Sequence, residues 1–215
     1  EPIQGEAGVY TPADDYMMRA KELCNQYNVL FIADEIQTGI ARTGALLAVC
    51  GNCTCENHCE KQATYATPDI LILGKALSGG AYPVSAVLAN DAIMNVIKPG
   101  QHGSTFGGNH LVCTAAIAVL DVLQHEHLME NALQVGNYLI NEIQKFPRLK
   151  EVRGKGLMIG IEFEEPVKKL RERLLFEKKI FTGVSGSNII RLLPPLCLTK
   201  QDADLFLDRF AEVLK

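Results

Sequence analysis

The residues best suited to chemistry stand where apolar runs stop. "VLFIA" (29–33) ends at Asp34, and "ILIL" (70–73) ends at Gly74-Lys75. In open α/β sheets, ligands gather at the carboxyl ends of the strands. Lysine is almost never fully buried without a partner. A lysine at such a strand end, taken out of water, holds its proton less tightly and can attack a carbonyl carbon. The stretch that follows it, "ALSGG", consists mostly of small residues and clears space for a flat ring. A structural ion pair between Asp34 and Lys75 would place the same two residues there, and these two positions alone favour it.

Neighbouring stretches widen the chemistry. Gln37, in "DEIQTG", stands three residues after Asp34, where its amide could reach a phenolate oxygen on such a ring. "HGSTFGGN" (102–109) offers Ser104 and Thr105 in a glycine-rich turn ahead of a helix. Backbone N–H groups and hydroxyls in a turn of this kind can cradle a phosphate. Capping of the following helix is the plainer role for the same residues. Pyridoxal 5'-phosphate is a cofactor that asks a protein for this set: a lysine for its carbonyl and an aspartate for its pyridinium nitrogen.

These residues need elements to hold them. The unbroken apolar runs at 29–33, 70–73 and 84–89 read as strands buried on both faces. Thr11 and Pro12 read as the cap and first position of a helix, with Asp14 and Asp15 in its first turn. Tyr16, Ala20, Leu23, Cys24 and Tyr27 form an apolar stripe at helical spacing along it. Helices are expected across 109–124 and 129–146. The alternation argues for an α/β sheet of parallel strands. The pattern changes after about residue 147. "GLMIGIEF" (156–163) and "NIIRLL" (188–193) read as strands, 166–179 as a charged helix, and 200–214 as an amphipathic helix capped by Thr199. Residues 1–147 therefore read as part of a larger α/β domain and 148–215 as a small α+β domain, with "KEVRGKG" (150–156) marking the boundary.

The chain has 215 residues, is 47% hydrophobic and 21% charged, and carries a net charge of −4. Nothing in that balance suggests a nucleic-acid-binding surface. No apolar run approaches the length of a membrane span, and residue 1 opens no secretory signal. "EPIQGEAGVY" has no initiator Met and reads as the interior of a longer protein.

Taken in order, "EPIQGEAGV", "FIADEIQTGIARTG", "LGKALSGG", "YPVSAVLA", "KPGQHGSTFGGN", "VRGKGL" and "IIRLLPPL" resemble the class III, pyridoxal-phosphate-dependent aminotransferases across nearly the whole chain. The resemblance is closest to the ornithine branch of that family and next to the acetylornithine branch. It implies a fold-type I transferase, of which this chain would hold the second half of the large domain and the C-terminal small domain. Lys75 resembles the Schiff-base lysine and Asp34 the pyridinium partner. Ile36 would pack on a ring face, and Gln37 would bond the ring hydroxyl. Ser104 and Thr105 resemble phosphate contacts made to the neighbouring subunit's site, which implies a homodimer at least. Arg191 resembles the arginine that grips the carboxylate of 2-oxoglutarate. Glu6 resembles the glutamate that covers this arginine while the amine substrate is bound; an interdomain salt bridge would use the same pair.

The implied reaction moves a terminal amino group to 2-oxoglutarate, from ornithine or from N-acetylornithine or succinylornithine. The residues expected to recognise the α-groups of the substrate belong upstream of Glu1 in this family. A bacterial cytoplasm is the expected compartment, with the mitochondrial matrix as the alternative. An inactive dimerising or metal-binding remnant is the reading from a different class.

Seven cysteines are present, four of them in "CGNCTCENHC": Cys50, Cys53, Cys55 and Cys59. With His58 they could form a tetrahedral, structural zinc site. The Cys53-Cys55 spacing is tighter than usual, and a surface loop of reduced thiols is the alternative. Cys24, Cys113 and Cys197 read as small buried hydrophobes. The mixture fits a reducing compartment.

Overall fold

The run "ILIL" forms strand β2 (Ile70–Leu73), which pairs in parallel with β1 (Ile32–Asp34) so that Asp34 stands opposite Ile72. The computed structural model describes residues 1–50 and 66–215. Strand β3 (Ala86–Ala89) completes the first sheet on the other side of β2, and it is antiparallel. The expected all-parallel sheet is corrected at this strand. Residues 74–85 hold only a single 3₁₀ turn at Lys75–Ser78 and no crossover helix, so the chain doubles back.

Burial in this sheet also departs from expectation. Phe31 and Ala33 are buried, but Ile32 is 51% exposed. A strand is buried on both faces only where both faces carry a layer. Helix α2 (Tyr16–Gln26) buries none of its residues, and its apolar stripe, with Tyr16, Leu23 and Tyr27, faces outward among the described residues. It begins at Tyr16 rather than Pro12. Residues 13–16 are held in a turn by Tyr16 N–H on Ala13 C=O, and no side chain caps the start. A short helix, α1 (Gly5–Gly8), precedes it.

Helix α3 (Asp91–Met94) is capped by Asn90. Helix α4 (His110–His125) is capped by Asn109, whose side chain accepts from Val112 N–H. Helix α5 (Leu128–Ile143) is strongly two-sided. No single helix among the described residues is long and apolar enough to cross a membrane.

The second sheet is antiparallel, in the order β4-β5-β7-β6: β4 (Leu149–Lys155), β5 (Met158–Phe163), β6 (Gly183–Ser185) and β7 (Ile189–Leu192). Strand β4 occupies the stretch expected to be a boundary. Its glycines serve the β4–β5 turn: Gly154 has φ +148°, and a Cβ there would stand 2.1 Å from Met158 C=O. Helices α6 (Lys168–Phe176) and α7 (Lys200–Leu214) complete this part. Ala132, Val135, Leu139 and Ile143 of α5 join Ile159, Ile161, Ile190 and Phe210 in one core. Phe210 meets the edge of Phe146 at 5.5 Å and stacks on Phe206 at 5.3 Å.

The cysteine expectation is corrected. Cys24 is half-buried, and Cys113 and Cys197 are exposed. Cys53, Cys55, Cys59 and His58 lie outside the described residues, as does the side chain of Cys50. Among the described residues no group of three or more His, Cys, Asp or Glu side chains is placed to hold a metal.

Candidate active site

The β1–β2 register puts Asp34 and Lys75 at one edge of the first sheet. Glu35 N–H extends the ladder to Ile72 C=O at 2.9 Å. The Asp34 carboxylate accepts from Ile36 N–H at 3.0 Å, which turns the chain. Ile36 then lies against Gly74, where a Cβ would stand 3.2 Å from Ile36 Cγ2. Glu35 is fully buried; its carboxylate accepts from the Thr38 hydroxyl and, at 2.7 Å, from Val49 N–H. These bonds pin the loop that presents Gln37.

Lys75 has φ +44°, a left-handed conformation that costs a non-glycine residue roughly 1–3 kcal/mol and clusters at functional sites. Its exposed side chain lines an open cavity of about 460 Å³ with Pro83, Val84 and Ser85.

Helix α1 reaches this edge from the other side. A Cβ on Gly5 would fall 1.6 Å from Gln37 Oε1, so the turn lies directly against the Gln37 side chain, which any larger residue would displace. The next residue, Glu6, meets Arg191 of β7 through two bonds, Nη1 to Oε2 at 2.7 Å and Nη2 to Oε1 at 3.1 Å. The guanidinium is 10% exposed and the carboxylate 80%. The hydrogen bond and charge of Arg191 hold the Glu6 carboxyl below its ordinary range, with a smaller contribution from the charge of Lys75. The lysine and the ion pair therefore share one electrostatic field.

Ser104 and Thr105 are exposed in the turn before α4. The Ser104 hydroxyl accepts from Gly107 N–H at 2.9 Å within that turn. Neither residue lines the cavity at Lys75. The structure thus gathers Asp34, Ile36, Gln37, Lys75, Glu6 and Arg191, and leaves Ser104 and Thr105 apart from them. Sequence reasoning passed over Glu35, Ser185 and Arg153. Arg153 sits in a charged strand whose burial does not alternate, and Ser185 in a strand of three residues, so neither carries a local signal. What results is an amine, a carboxylate and an amide around one edge, beside an open cavity. Such a donor set can hold a flat ring that has a carbonyl and a basic nitrogen.

The family model for aminotransferase class III matches residues 1–214. An ornithine aminotransferase of Oceanobacillus iheyensis is 46% identical over 216 residues, which is 100% of this chain and 51% of that protein. The mitochondrial ornithine aminotransferase of Drosophila melanogaster is 50% identical over 203 residues, 93% of this chain and 44% of that one. Among solved structures, an ornithine aminotransferase from Plasmodium yoelii superposes with a TM-score of 0.87 at 44% identity, over 99% of this chain and 55% of that one. An acetylornithine aminotransferase from Elizabethkingia anophelis does so with a TM-score of 0.87 at 47% identity, over 99% and 55%. The chain spans about half the length of the curated relatives it matches.

Proposed function

The chain belongs to the class III aminotransferases, and from that premise we propose that it carries the reactive lysine of an enzyme that moves the terminal amino group of ornithine to 2-oxoglutarate. The products are glutamate semialdehyde and glutamate. Pyridoxal 5'-phosphate, when bound, supplies the carbonyl and the electron-accepting ring.

The residues divide the work. With the cofactor bound, the Lys75 amine would hold its carbonyl carbon and would carry a proton to and from the substrate's reacting carbon. Asp34 keeps a proton on the ring nitrogen. Ile36 covers a ring face, and the Gln37 amide donates to the ring hydroxyl oxygen. Glu6 neutralises Arg191 while an amine with no carboxylate at that end is bound. It gives way when the carboxylate of 2-oxoglutarate needs the guanidinium. Ser104 and Thr105 offer their hydroxyls to the phosphate in a partner's site, so the working unit is a homodimer at least. Their exposure, and a lining of the Lys75 cavity that does not include them, support that role. Residues 1–147 act as the second half of the large domain and 148–215 as the small domain. We keep the cytoplasm as the compartment, with the mitochondrial matrix, named for the Drosophila relative, as the alternative.

The observation that carries this reading is Asp34 and Lys75 at the ends of two paired strands, with the Glu6–Arg191 pair beside the turn that lies against Gln37. N-acetylornithine is the second reading, favoured by the likeness to the Elizabethkingia structure. The test is an absorbance spectrum of the full-length protein loaded with pyridoxal phosphate, before and after each amine. A band that is absent in Lys75→Ala and shifts with ornithine more readily than with N-acetylornithine supports ornithine. The reverse preference supports the second reading. No band in the wild type sinks both and leaves the inactive remnant.

A further inference from the structure

Helix α1 has only four residues, yet the carbonyls of Gly5, Glu6 and Gly8 are held from outside by three strands of the second sheet. Arg191 of β7 donates from Nη1 to Gly5 C=O at 3.0 Å. Ser185 of β6 donates its hydroxyl to the carbonyl of Glu6 itself at 2.5 Å. Arg153 of β4 donates from Nε to Gly8 C=O at 3.1 Å. Gly5 C=O also accepts from Val9 N–H at 3.3 Å, while the carbonyls of Glu6 and Gly8, in the last turn, must find their partners outside the helix. Arg153 is fixed in turn: it is 8% exposed, bonds Glu162 at 2.7 Å and Glu151 at 2.6 Å, and lies 4.1 Å from the Tyr10 ring centre.

Packing closes the remaining freedom of the turn. Gln4 and Tyr10 form a two-bond bridge across its ends. A Cβ on Gly8 would stand 2.6 Å from Ile189 Cδ1, and one on Gly160 would stand 2.9 Å from Gly8 C=O. Ile3, Val9 and Met158 make a small buried cluster underneath. The backbone of Glu6 is therefore fixed on the second sheet, while its carboxylate stays 80% exposed with Arg191 as its partner.

We propose that Ser185, seconded by Arg153, is a positioning residue that fixes the Glu6 backbone, so that Arg191 is covered and uncovered by rotation of the Glu6 side chain alone. This rests on the reading above, in which the covered form serves ornithine and the uncovered form serves 2-oxoglutarate and glutamate. Loosening the turn weakens the covered form more than the uncovered one, which does not use the Glu6 carboxylate and draws on the turn only through the bond from Arg191 to Gly5 C=O. A ligand shifts such an equilibrium only through its difference in affinity for the two forms. Ser185 therefore acts on the choice of amine rather than on chemistry at Lys75.

The experiment follows the two half-reactions of the full-length holoenzyme by absorbance, one with ornithine and one with glutamate. The readout is the ratio of their kcat/KM values. Loss of one neutral hydrogen bond in Ser185→Ala lowers the ornithine-to-glutamate ratio roughly threefold to tenfold. Ser185→Thr keeps the hydroxyl and restores the ratio, while the cofactor band stays in place in both variants. An unchanged ratio in Ser185→Ala overturns the proposal, as does an equal fall in both half-reactions. A wild type that responds to neither amine overturns the aminotransferase reading and this proposal with it.

Discussion

The two sheets differ in how their apolar surface is covered. The second sheet is sealed: β5 is buried along its whole length, and α5 and α7 each turn a buried stripe onto it. The first sheet is open among the described residues. Helix α2 buries nothing, α4 buries only Leu123, and Ile32, Val87 and Ile117 are each more than half exposed. Yet the first sheet carries the lysine and its carboxylate, while the second supplies Arg191 and the clamps on α1. Among the described residues burial is concentrated around the second sheet, and that sheet holds the turn that carries Glu6. A strained lysine backbone is tolerable where its surroundings over-determine it.

The largest expected effect separates chemistry from stability. Lys75→Ala should lower aminotransferase turnover by more than roughly a thousandfold. It should leave the unfolding midpoint of the 215-residue chain nearly unchanged, because among the described residues the exposed Lys75 amine makes no hydrogen bond or ion pair. A midpoint drop comparable to that of a core variant would break the separation.

A pair of truncations probes the covering directly. Phe210→Ala, in the sealed core, should destabilise by about 3–5 kcal/mol in denaturant unfolding. Ile117→Ala, 61% exposed on α4, should change the stability of the 215-residue chain by about 0.5 kcal/mol or less. Equal costs would mean that α4 is covered and that the contrast between the sheets is false.

Much of the site is legible because strand ends announce themselves. An apolar run that stops at Asp34 or at Gly74-Lys75 places a polar side chain at a sheet edge, whatever the packing around it. Helix α7 is legible for the same local reason, since Thr199 and the apolar spacing both sit in sequence. What escapes is non-local. The direction of β3 depends on what residues 74–85 fail to build. Strand β4 hides behind glycines needed for its turn, and β6 is too short to show a period. The exposure of Ile32 is set by which layers cover the sheet, which the strand's own residues do not encode. Ser185 acts through a carbonyl 179 positions away, and no spacing rule reaches that far.

The sealed region also holds a buried charge network whose pH response has a definite sign. Glu162 accepts from Lys150 at 2.6 Å and Arg153 at 2.7 Å, and both hold its carboxyl below the ordinary range, Lys150 the more strongly. Its folded pKa is depressed, so its stabilisation is present above the unfolded value and is lost as pH falls through the folded one. Glu162→Gln leaves Arg153 with Glu151 alone and should cost about 3 kcal/mol at neutral pH. The gap between variant and wild type should narrow in acid. A gap independent of pH would assign the cost to packing rather than to charge.

The smallest effect compares the same local device in both regions. Helix α7 opens with a reciprocal cap. The Thr199 hydroxyl accepts from Asp202 N–H at 3.2 Å, and the Asp202 carboxylate accepts from Thr199 N–H at 3.1 Å. Helix α2 opens at Asp15 with no side-chain cap, and Asp15 has only an exposed pairing with Arg19 at 3.6 Å. Thr199→Ala should therefore cost about 1 kcal/mol, read as a lower urea midpoint at unchanged slope, and Thr199→Ser should recover most of it. The bonds from Thr199 hold the Asp202 carboxyl below its ordinary range. Its share of the stabilisation is present above the unfolded value and fades as pH falls through the folded one, so the cost of Thr199→Ala should shrink in acid. Asp15→Ala should move the midpoint less, since an exposed pair at this spacing is worth at most about 0.5 kcal/mol. If Asp15→Ala costs as much as Thr199→Ala, the first turn of α2 is held by something its own residues do not supply. The open region would then be steadied from outside in the same way as the turn that carries Glu6.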